Sequence, residues 1–203
     1  MLSLKKLFCA AALAAFMVLP AQAADFSARE MKAMSVFLSN FTELGFMDVK
    51  ADEFLDEKAP GGMIRFGIRH NYVNNYKTRV KECTVKDCKW GSLVMDGIYV
   101  RESLKRYFGY DIKQLPTIED PDQPYYFDGK QYHFEGADGE AVYYAAVKNA
   151  EFSGDGLVHM SGLVYNAEDK EDVLGTFKAM ARPHTWNGKK TWALLELKVT
   201  VKE

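Results

Sequence analysis

Two cysteines in the middle of the chain have the residue type and the spacing for covalent chemistry. Cys83 and Cys88 are separated by four residues. In an oxidising compartment, an even number of cysteines this close together predicts a disulfide. A redox or metal-binding pair is the alternative, but redox motifs usually space their cysteines by two residues, and a zinc site needs two further ligands that this segment does not supply. We therefore predict a disulfide between Cys83 and Cys88.

The histidines fall on different predicted elements, at His70, His133, His159 and His184. His133 and Glu135 are two residues apart on a predicted strand, so their side chains share a face, as two metal ligands would. Spacing on separate elements neither requires nor forbids that the histidines converge. We therefore expect neutral imidazoles with local hydrogen bonds, no metal site and no cofactor.

Carboxylates are frequent, but most of them fall in hydrophilic connections. General-acid chemistry needs a carboxyl group in a dry setting that raises its pKa. Asp138 and Glu140 come closest to that setting, because their turn is flanked by aromatic strands. A role in the turn itself is the alternative. The sequence has no Gly-x-Ser-x-Gly, no glycine-rich phosphate loop and no His-Glu-x-x-His, so no motif identifies an enzyme class.

A polar face runs along the second predicted helix, Met63 to Lys81. His70, Asn71, Asn74 and Asn75 form two pairs spaced by four residues, which places them on one side of that helix. Asparagine is unfavourable inside a helix because its amide competes with the backbone for hydrogen bonds. The face is either a patch for a ligand or a sheet edge, or it is a solvated surface.

Aromatic side chains crowd two neighbouring strand regions of the second half of the chain. Adjacent residues of a strand point to opposite faces, so at least one member of each aromatic pair lies away from the core. Exposed aromatics with polar tips favour a binding surface, and a helix covering the second face is the alternative. The residues are Tyr125, Tyr126, Phe127, Tyr132, Phe134, Tyr143 and Tyr144.

Three helices are predicted before these strands. Ser27 and Glu30 fit a capping box, and an apolar stripe at spacings of three and four follows until Gly45. The second helix has the polar face described above. The third is capped by Asp96 and ended by Gly109. These elements must position any site on the strands that follow.

The C-terminal segment, Gly175 to Glu203, predicts two long strands that fold back at Asn187-Gly188, the dipeptide most suited to a tight hairpin turn. On its second strand, apolar side chains alternate with polar ones and predict one buried face. That apolar row is Ala193, Leu195, Leu197, Val199 and Val201. We predict an α+β fold in which three N-terminal helices pack on a curved, mainly antiparallel C-terminal sheet.

The first 23 residues have the features of a signal peptide. Lys5 and Lys6 precede the apolar run Leu7 to Leu19. Pro20 ends the run, and Ala21-Gln22-Ala23 matches the cleavage pattern. We predict cleavage near Ala23, export to the periplasm or the medium, and one domain over residues 24–203. The alternative, an uncleaved anchor, would need a longer apolar run.

Charge and hydropathy exclude two classes of partner. The net charge of the chain is −2, and loss of the two signal-peptide lysines makes it about −4. No basic surplus is available to neutralise phosphates, so we expect no nucleic-acid partner. No later segment reaches the roughly 20 apolar residues of a membrane span, so we expect none after cleavage.

The order of the predicted elements resembles the cone-shaped fold of nuclear-transport-factor-like proteins, with cystatin-like folds as the near alternative. Four short stretches are similar to segments of uncharacterised bacterial exported proteins and lipoproteins, and the resemblance spans most of the mature chain. That group implies no activity and no site residue. The stretches are Phe37-Leu38-Ser39-Asn40-Phe41, His70-Asn71-Tyr72, Arg106-Tyr107-Phe108-Gly109 and Ala137-Asp138-Gly139-Glu140.

We predict a non-catalytic function: recognition of a small molecule, a peptide or an envelope protein in a cleft between helices and sheet. Cone folds commonly enclose such a pocket. The candidate ligand-binding residues are His70, Asn74, Tyr132, Glu140 and Tyr144.

Two other hypotheses stay open. A hydrolase or isomerase would use an acid/base pair in the same cleft, where His70 or Glu140 would lie beside a second titratable group. An assembly module, for example a homodimer, would pair through a flat, aromatic face of the sheet.

Overall fold

The computed structural model describes residues 26–136 and 142–202 and confirms the α+β fold, with helices before a C-terminal sheet. The predicted signal peptide and the turn with Asp138 and Glu140 lie outside the described residues. The helices are α1 (Ala28–Thr42), α2 (Ala51–Phe54), α3 (Gly61–Arg79) and α4 (Gly97–Phe108). The strands are β1 (Asp48–Lys50), β2 (Val80–Glu82), β3 (Leu93–Asp96), β4 (Tyr126–Phe127), β5 (Gln131–Phe134), β6 (Tyr143–Phe152), β7 (Val158–Asn166), β8 (Val173–Trp186) and β9 (Lys189–Val201).

These strands form two antiparallel sheets. The larger sheet has the order β1-β9-β8-β7-β6, and the smaller one has the order β2-β3-β5-β4. The predicted small hairpin, now β4 and β5, is therefore joined to the strands that flank the cysteine loop. This pairing brings parts of the chain together that are some 50 residues apart, as His133 and Cys83 show.

The predicted C-terminal hairpin is confirmed, with two corrections to its apolar row: Leu195 is only half-buried, and Val201 is 56% exposed at the end of β9. Asn187 and Gly188 both have positive φ, 49° and 73°, as the tight turn requires. The pairing of β8 with β9 shifts register beside Ala181, which pairs with Leu194. A one-residue shift moves side chains to the opposite face. Leu194 is therefore fully buried, whereas Leu195 is only half-buried.

Helix α1 covers part of the edge strand β6 with hydroxyl groups. The backbone N–H groups of Ala145 and Val147 donate to Ser39 Oγ at 3.0 Å and to Ser35 Oγ at 2.9 Å. Thr42 Oγ1 donates to the Tyr143 carbonyl at 2.8 Å. Unpaired backbone groups of an edge strand would otherwise be free to pair with another chain. Ser35, Ser39 and Thr42 therefore occupy these backbone groups of β6 and protect its edge from pairing with another chain.

The core between the helices and the larger sheet is rich in aromatic rings. Phe66 of α3 is fully buried, and its ring centroid lies 4.9 Å from that of Phe41, 5.5 Å from Tyr107 and 5.4 Å from Phe108. These contacts join α1, α3 and α4. No helix of the described residues is long and apolar enough to cross a membrane.

The predicted polar face of α3 is divided between core and surface. Asn71 is fully buried, and its amide donates to the Gly67 carbonyl at 2.7 Å and to Ser103 Oγ of α4 at 2.9 Å. Asn74 is exposed. A buried amide needs such partners because leaving it unpaired is costly. Asn71 therefore links α3 to α4, a role that neither sequence-based interpretation of this face included.

Candidate metal centre

The loop between β2 and β3 positions the two cysteines at one end of the smaller sheet. The antiparallel pairing continues past β2, since the Cys83 N–H donates to the Ser92 carbonyl at 2.8 Å. A turn follows in which the Cys88 N–H donates to the Val85 carbonyl at 3.3 Å and Asp87 has φ 53°. The predicted disulfide is not formed in the structure, because both cysteines are free thiols.

His133 reaches both sulfur atoms from strand β5. It pairs with Val94 of β3 in the sheet, and its Nδ1 atom lies 3.4 Å from Cys83 Sγ and 3.5 Å from Cys88 Sγ. All three atoms lie within 4.8 Å of one another. The cysteine segment itself lacks further metal ligands, and for that reason the sequence predicts no metal site. The sheet brings a third potential ligand, His133, from elsewhere in the chain.

A glycine allows the loop to lie against β5. Gly91 has φ 141°, and a Cβ atom at this position would lie 2.1 Å from the carbonyl carbon of Phe134. No side chain fits at that distance, so the close approach that brings the cysteines to His133 depends on glycine here.

The distances match those between the ligands of a tetrahedral metal ion. With Zn–S bonds of 2.3 Å and Zn–N bonds of about 2.05 Å, tetrahedral angles place N and S about 3.6 Å apart. The observed values are 3.4 Å and 3.5 Å. The two N–S distances therefore fit two thiolates and one imidazole around a common tetrahedral centre, and the two sulfurs lie within 4.8 Å of each other.

Asp128 holds the imidazole from the opposite side. Its Oδ1 atom accepts N–H groups of Lys130 at 2.8 Å and Gln131 at 2.7 Å, which fixes the hairpin turn, and its Oδ2 atom lies 3.1 Å from His133 Nε2. The Gln131 amide, His133 and the Lys130 amide together lower the pKa of Asp128 to about 2. A carboxylate that accepts the second ring N–H of a metal-binding histidine orients the ring.

The electrostatics of the cluster favour thiolate at Cys88. The Trp90 amide lowers the pKa of Cys88 below its ordinary value, whereas burial raises the pKa of Cys83. Burial alone would lower the pKa of His133, but hydrogen bonds with Asp128 and Cys88 outweigh it and leave this pKa raised.

One side of the cluster is shielded and the other is open to solvent. The Trp90 ring stacks on Tyr126 at 4.5 Å and 9°, and Tyr126 is the cross-strand partner of His133. His133 is only 5% exposed, but both cysteines are half-buried and line a surface groove of about 480 Å³. Glu135 lines the same groove and accepts a hydrogen bond from Ser92 Oγ at 2.8 Å.

No protein-family model, curated protein or solved structure matches the chain. The resemblance to nuclear-transport-factor-like folds and to bacterial exported proteins therefore stays a prediction.

Two of the predicted ligand-binding residues come together at a second groove. Asn74 and Tyr144 both line a groove of about 380 Å³ between α1 and the edge of the larger sheet. The Asn74 amide donates to Glu43 Oε1 at 2.6 Å, and the Tyr144 ring contacts that of Tyr165 with centroids 6.3 Å apart. This groove lies where the cleft between helices and sheet was expected.

The other predicted ligand-binding residues lie elsewhere. His70 is buried, with its ring stacked on Phe66 at 5.9 Å, and it lines a separate small cavity with Arg79 and Arg106. Tyr132 is fully buried in the smaller sheet, and its hydroxyl donates to the Pro116 carbonyl at 2.9 Å. Glu140 lies outside the described residues. The five residues therefore do not form one site among the residues that the structure describes.

Acid is expected to destabilise the protein through His70. Burial, with Arg106 and Arg79 nearby, lowers the pKa of His70 to about 3, whereas an unfolded histidine titrates near 6.5. The unfolded state binds the proton first, so this contribution to stability is complete above about pH 6.5 and is lost as the pH falls towards 3. We expect the titration of His70 to lower the free energy of unfolding by about 2–3 kcal/mol when the pH falls from 7 to 4.5.

Urea unfolding of the wild type and of His70→Phe at both pH values measures this contribution. The free energy of unfolding should differ less between pH 7 and pH 4.5 in His70→Phe than in the wild type, by about 2–3 kcal/mol. His70→Gln, which also cannot titrate, should flatten the pH dependence equally. Equal pH dependence in all three proteins would contradict the prediction.

Proposed function

We propose that this protein is an exported, non-catalytic binding domain whose ligand is a divalent metal ion of the zinc class. Cys83, Cys88 and His133 supply the ligand atoms, and Asp128 orients the imidazole. The proposal is carried by the position of His133 Nδ1, which lies 3.4 Å and 3.5 Å from the two sulfur atoms.

One ring position faces both sulfurs. The Nε2 atom lies 3.1 Å from Asp128 Oδ2, which leaves Nδ1 as the atom that contacts Cys83 and Cys88. A cation bound to Nδ1 and to both sulfurs would account for the two short distances at once.

The ligand types select the metal. Thiolate sulfur favours soft and borderline ions, and imidazole suits zinc, whereas calcium and magnesium require oxygen ligands. Three protein ligands leave the fourth tetrahedral position to water or to an external ligand, as in zinc sites that are not purely structural. The groove beside the cysteines gives such a ligand access from solvent.

Metal titration of the reduced protein tests this proposal. The purified protein, without a histidine tag, is titrated with Zn²⁺ in competition with a chromophoric chelator, and with Co²⁺ as an absorbance probe of its ligands. We expect one ion per chain and the thiolate-to-cobalt charge-transfer band of a tetrahedral site.

Matched variants identify the site. The double variant Cys83→Ser/Cys88→Ser should lose both signals, and His159→Ala, which removes an exposed histidine of β7, should keep them. Absence of binding by the reduced wild type, or unchanged binding by the double variant, would overturn the proposal.

Recognition of a small molecule or a peptide is a second candidate function, favoured by one observation. Asn74 and Tyr144, both predicted to bind ligand, line the same groove beside α1. Tyr144→Ala should weaken binding of such a ligand and leave zinc binding unchanged. Native mass spectrometry of protein purified from its own host tests whether a ligand is retained. If Tyr144→Ala retains the same ligand as the wild type, this groove is excluded as its binding site.

A further inference from the structure

We propose that the metal centre is controlled by thiol–disulfide exchange, with oxidation of Cys83 and Cys88 to a disulfide releasing the ion and reduction restoring the site. This inference rests on the proposed function, since it assigns a regulation to the same ligands. It also unites the two interpretations of the cysteine pair, because the spacing in sequence favours a bridge and the folded arrangement favours a metal.

The two sulfur atoms are close enough for both states. They lie within 4.8 Å of each other as free thiols, so a bond of 2.05 Å requires an approach of no more than about 3 Å. Cys83 is fixed by the backbone hydrogen bond to Ser92, whereas Cys88 lies in the turn beyond it. Movement of Cys88 can therefore close the bridge while the ladder of β2 and β3 is kept.

Both sulfurs are within reach of an external disulfide. The cysteines are half-buried and line the open groove that also contains Glu135 and Ser92. The thiolate is the form that both binds metals and attacks disulfides.

The exchange balances with a low-molecular-weight disulfide, RSSR, as the oxidant. One cysteine thiolate attacks a sulfur of RSSR and forms a mixed disulfide, and the first RS⁻ leaves. The second cysteine thiolate then attacks the protein sulfur of the mixed disulfide, and the second RS⁻ leaves. The cysteines are oxidised by two electrons, RSSR is reduced to two thiolates, and the ion loses two of its three protein ligands.

Metal binding and disulfide formation must therefore oppose each other. A disulfide is neutral and leaves His133 as a single imidazole ligand, which does not hold the ion alone. By linkage, an ion that binds only the reduced form stabilises that form. At free zinc of 100 times Kd, the equilibrium constant for oxidation should fall about 100-fold, which raises the midpoint potential by about 59 mV.

Oxidation of the zinc-loaded protein with oxidised glutathione tests this inference. Released zinc is followed with a chromophoric chelator, free thiols are counted, and mass spectrometry records the bridge between Cys83 and Cys88. We expect one zinc ion released for each intramolecular disulfide, and a midpoint potential that rises with free zinc. The matched control is His133→Ala, in which the bridge should form and free zinc at 100 times the wild-type Kd should change the equilibrium constant for oxidation by no more than about twofold, because this variant binds zinc at least 100-fold more weakly.

The outcomes separate this inference from the proposed function. If the reduced protein binds zinc but oxidation leaves the ion bound, yields only mixed disulfides with glutathione, or occurs at a potential independent of zinc, the redox control is overturned and the metal site stands. If the reduced protein binds no zinc in the preceding titration, both are overturned.

Discussion

His133→Ala is expected to weaken zinc binding by about 100- to 1,000-fold. Zinc-finger peptides bind zinc with about 10–16 kcal/mol from four ligands, or about 2.5–4 kcal/mol for each ligand. His133 is the single nitrogen ligand of the cluster and its Nδ1 atom lies within 3.5 Å of both sulfurs. Its loss leaves two neighbouring thiolates without a third protein ligand.

Competition titration with a chromophoric chelator measures this loss. His159→Ala, which removes an exposed histidine of β7, should bind zinc as the wild type does. Asp128→Asn keeps all three ligands but weakens the orientation of the ring, so we expect a smaller loss of about 10- to 100-fold. Circular dichroism confirms that each variant is folded. Equal affinities of His133→Ala and the wild type would exclude His133 as a ligand.

Phe66→Ala is expected to lower the free energy of unfolding by about 3–5 kcal/mol, the usual cost of removing a large aromatic side chain from a packed core. Phe66 is fully buried, and its ring contacts Phe41 of α1 and both Tyr107 and Phe108 of α4. The change therefore leaves a cavity where three helices meet, and those helices limit how far the site can collapse.

Urea unfolding at pH 7 measures this effect as a lower midpoint with an unchanged m-value. Phe152→Ala is the matched control, because Phe152 is 42% exposed at the end of β6. It should lower the stability by about 1 kcal/mol or less. Similar losses for the two variants would contradict the central position of Phe66. If Phe66→Ala does not fold, Phe66→Leu should show a smaller loss in the same direction.

Local signals in the sequence predicted the elements well. The capping box of Ser27 and Glu30 is formed, with the Ser27 N–H donating to Glu30 Oε2 at 2.8 Å. Gly109 ends α4 with φ 65°, and the turn at Asn187-Gly188 closes the last hairpin. Each of these signals depends on residues within a few positions of one another, and therefore on backbone preferences that a sequence displays directly.

Register and burial were less predictable. The expected row on β9 placed Leu195 in the core, but the shift beside Ala181 buries Leu194 instead. The sequence predicts one polar face on α3, but Asn71 is buried against α4 and Asn74 is exposed. In both cases a neighbouring element decides which side chain is covered, and its position is not encoded in the local periodicity.

The sequence by itself determined α1, α3 and α4, the hairpins, the α+β class and the closeness of Cys83 to Cys88, whereas the short helix α2 is not one of the three predicted helices. Only the tertiary structure decided that His133 and Asp128 join those cysteines. Strand β5 lies beside β3 through hydrogen bonds between residues about 40 positions apart, such as Val94 and His133. Because such pairing depends on how whole strands assemble, ligands of a site built across strands become neighbours only when the sheet forms.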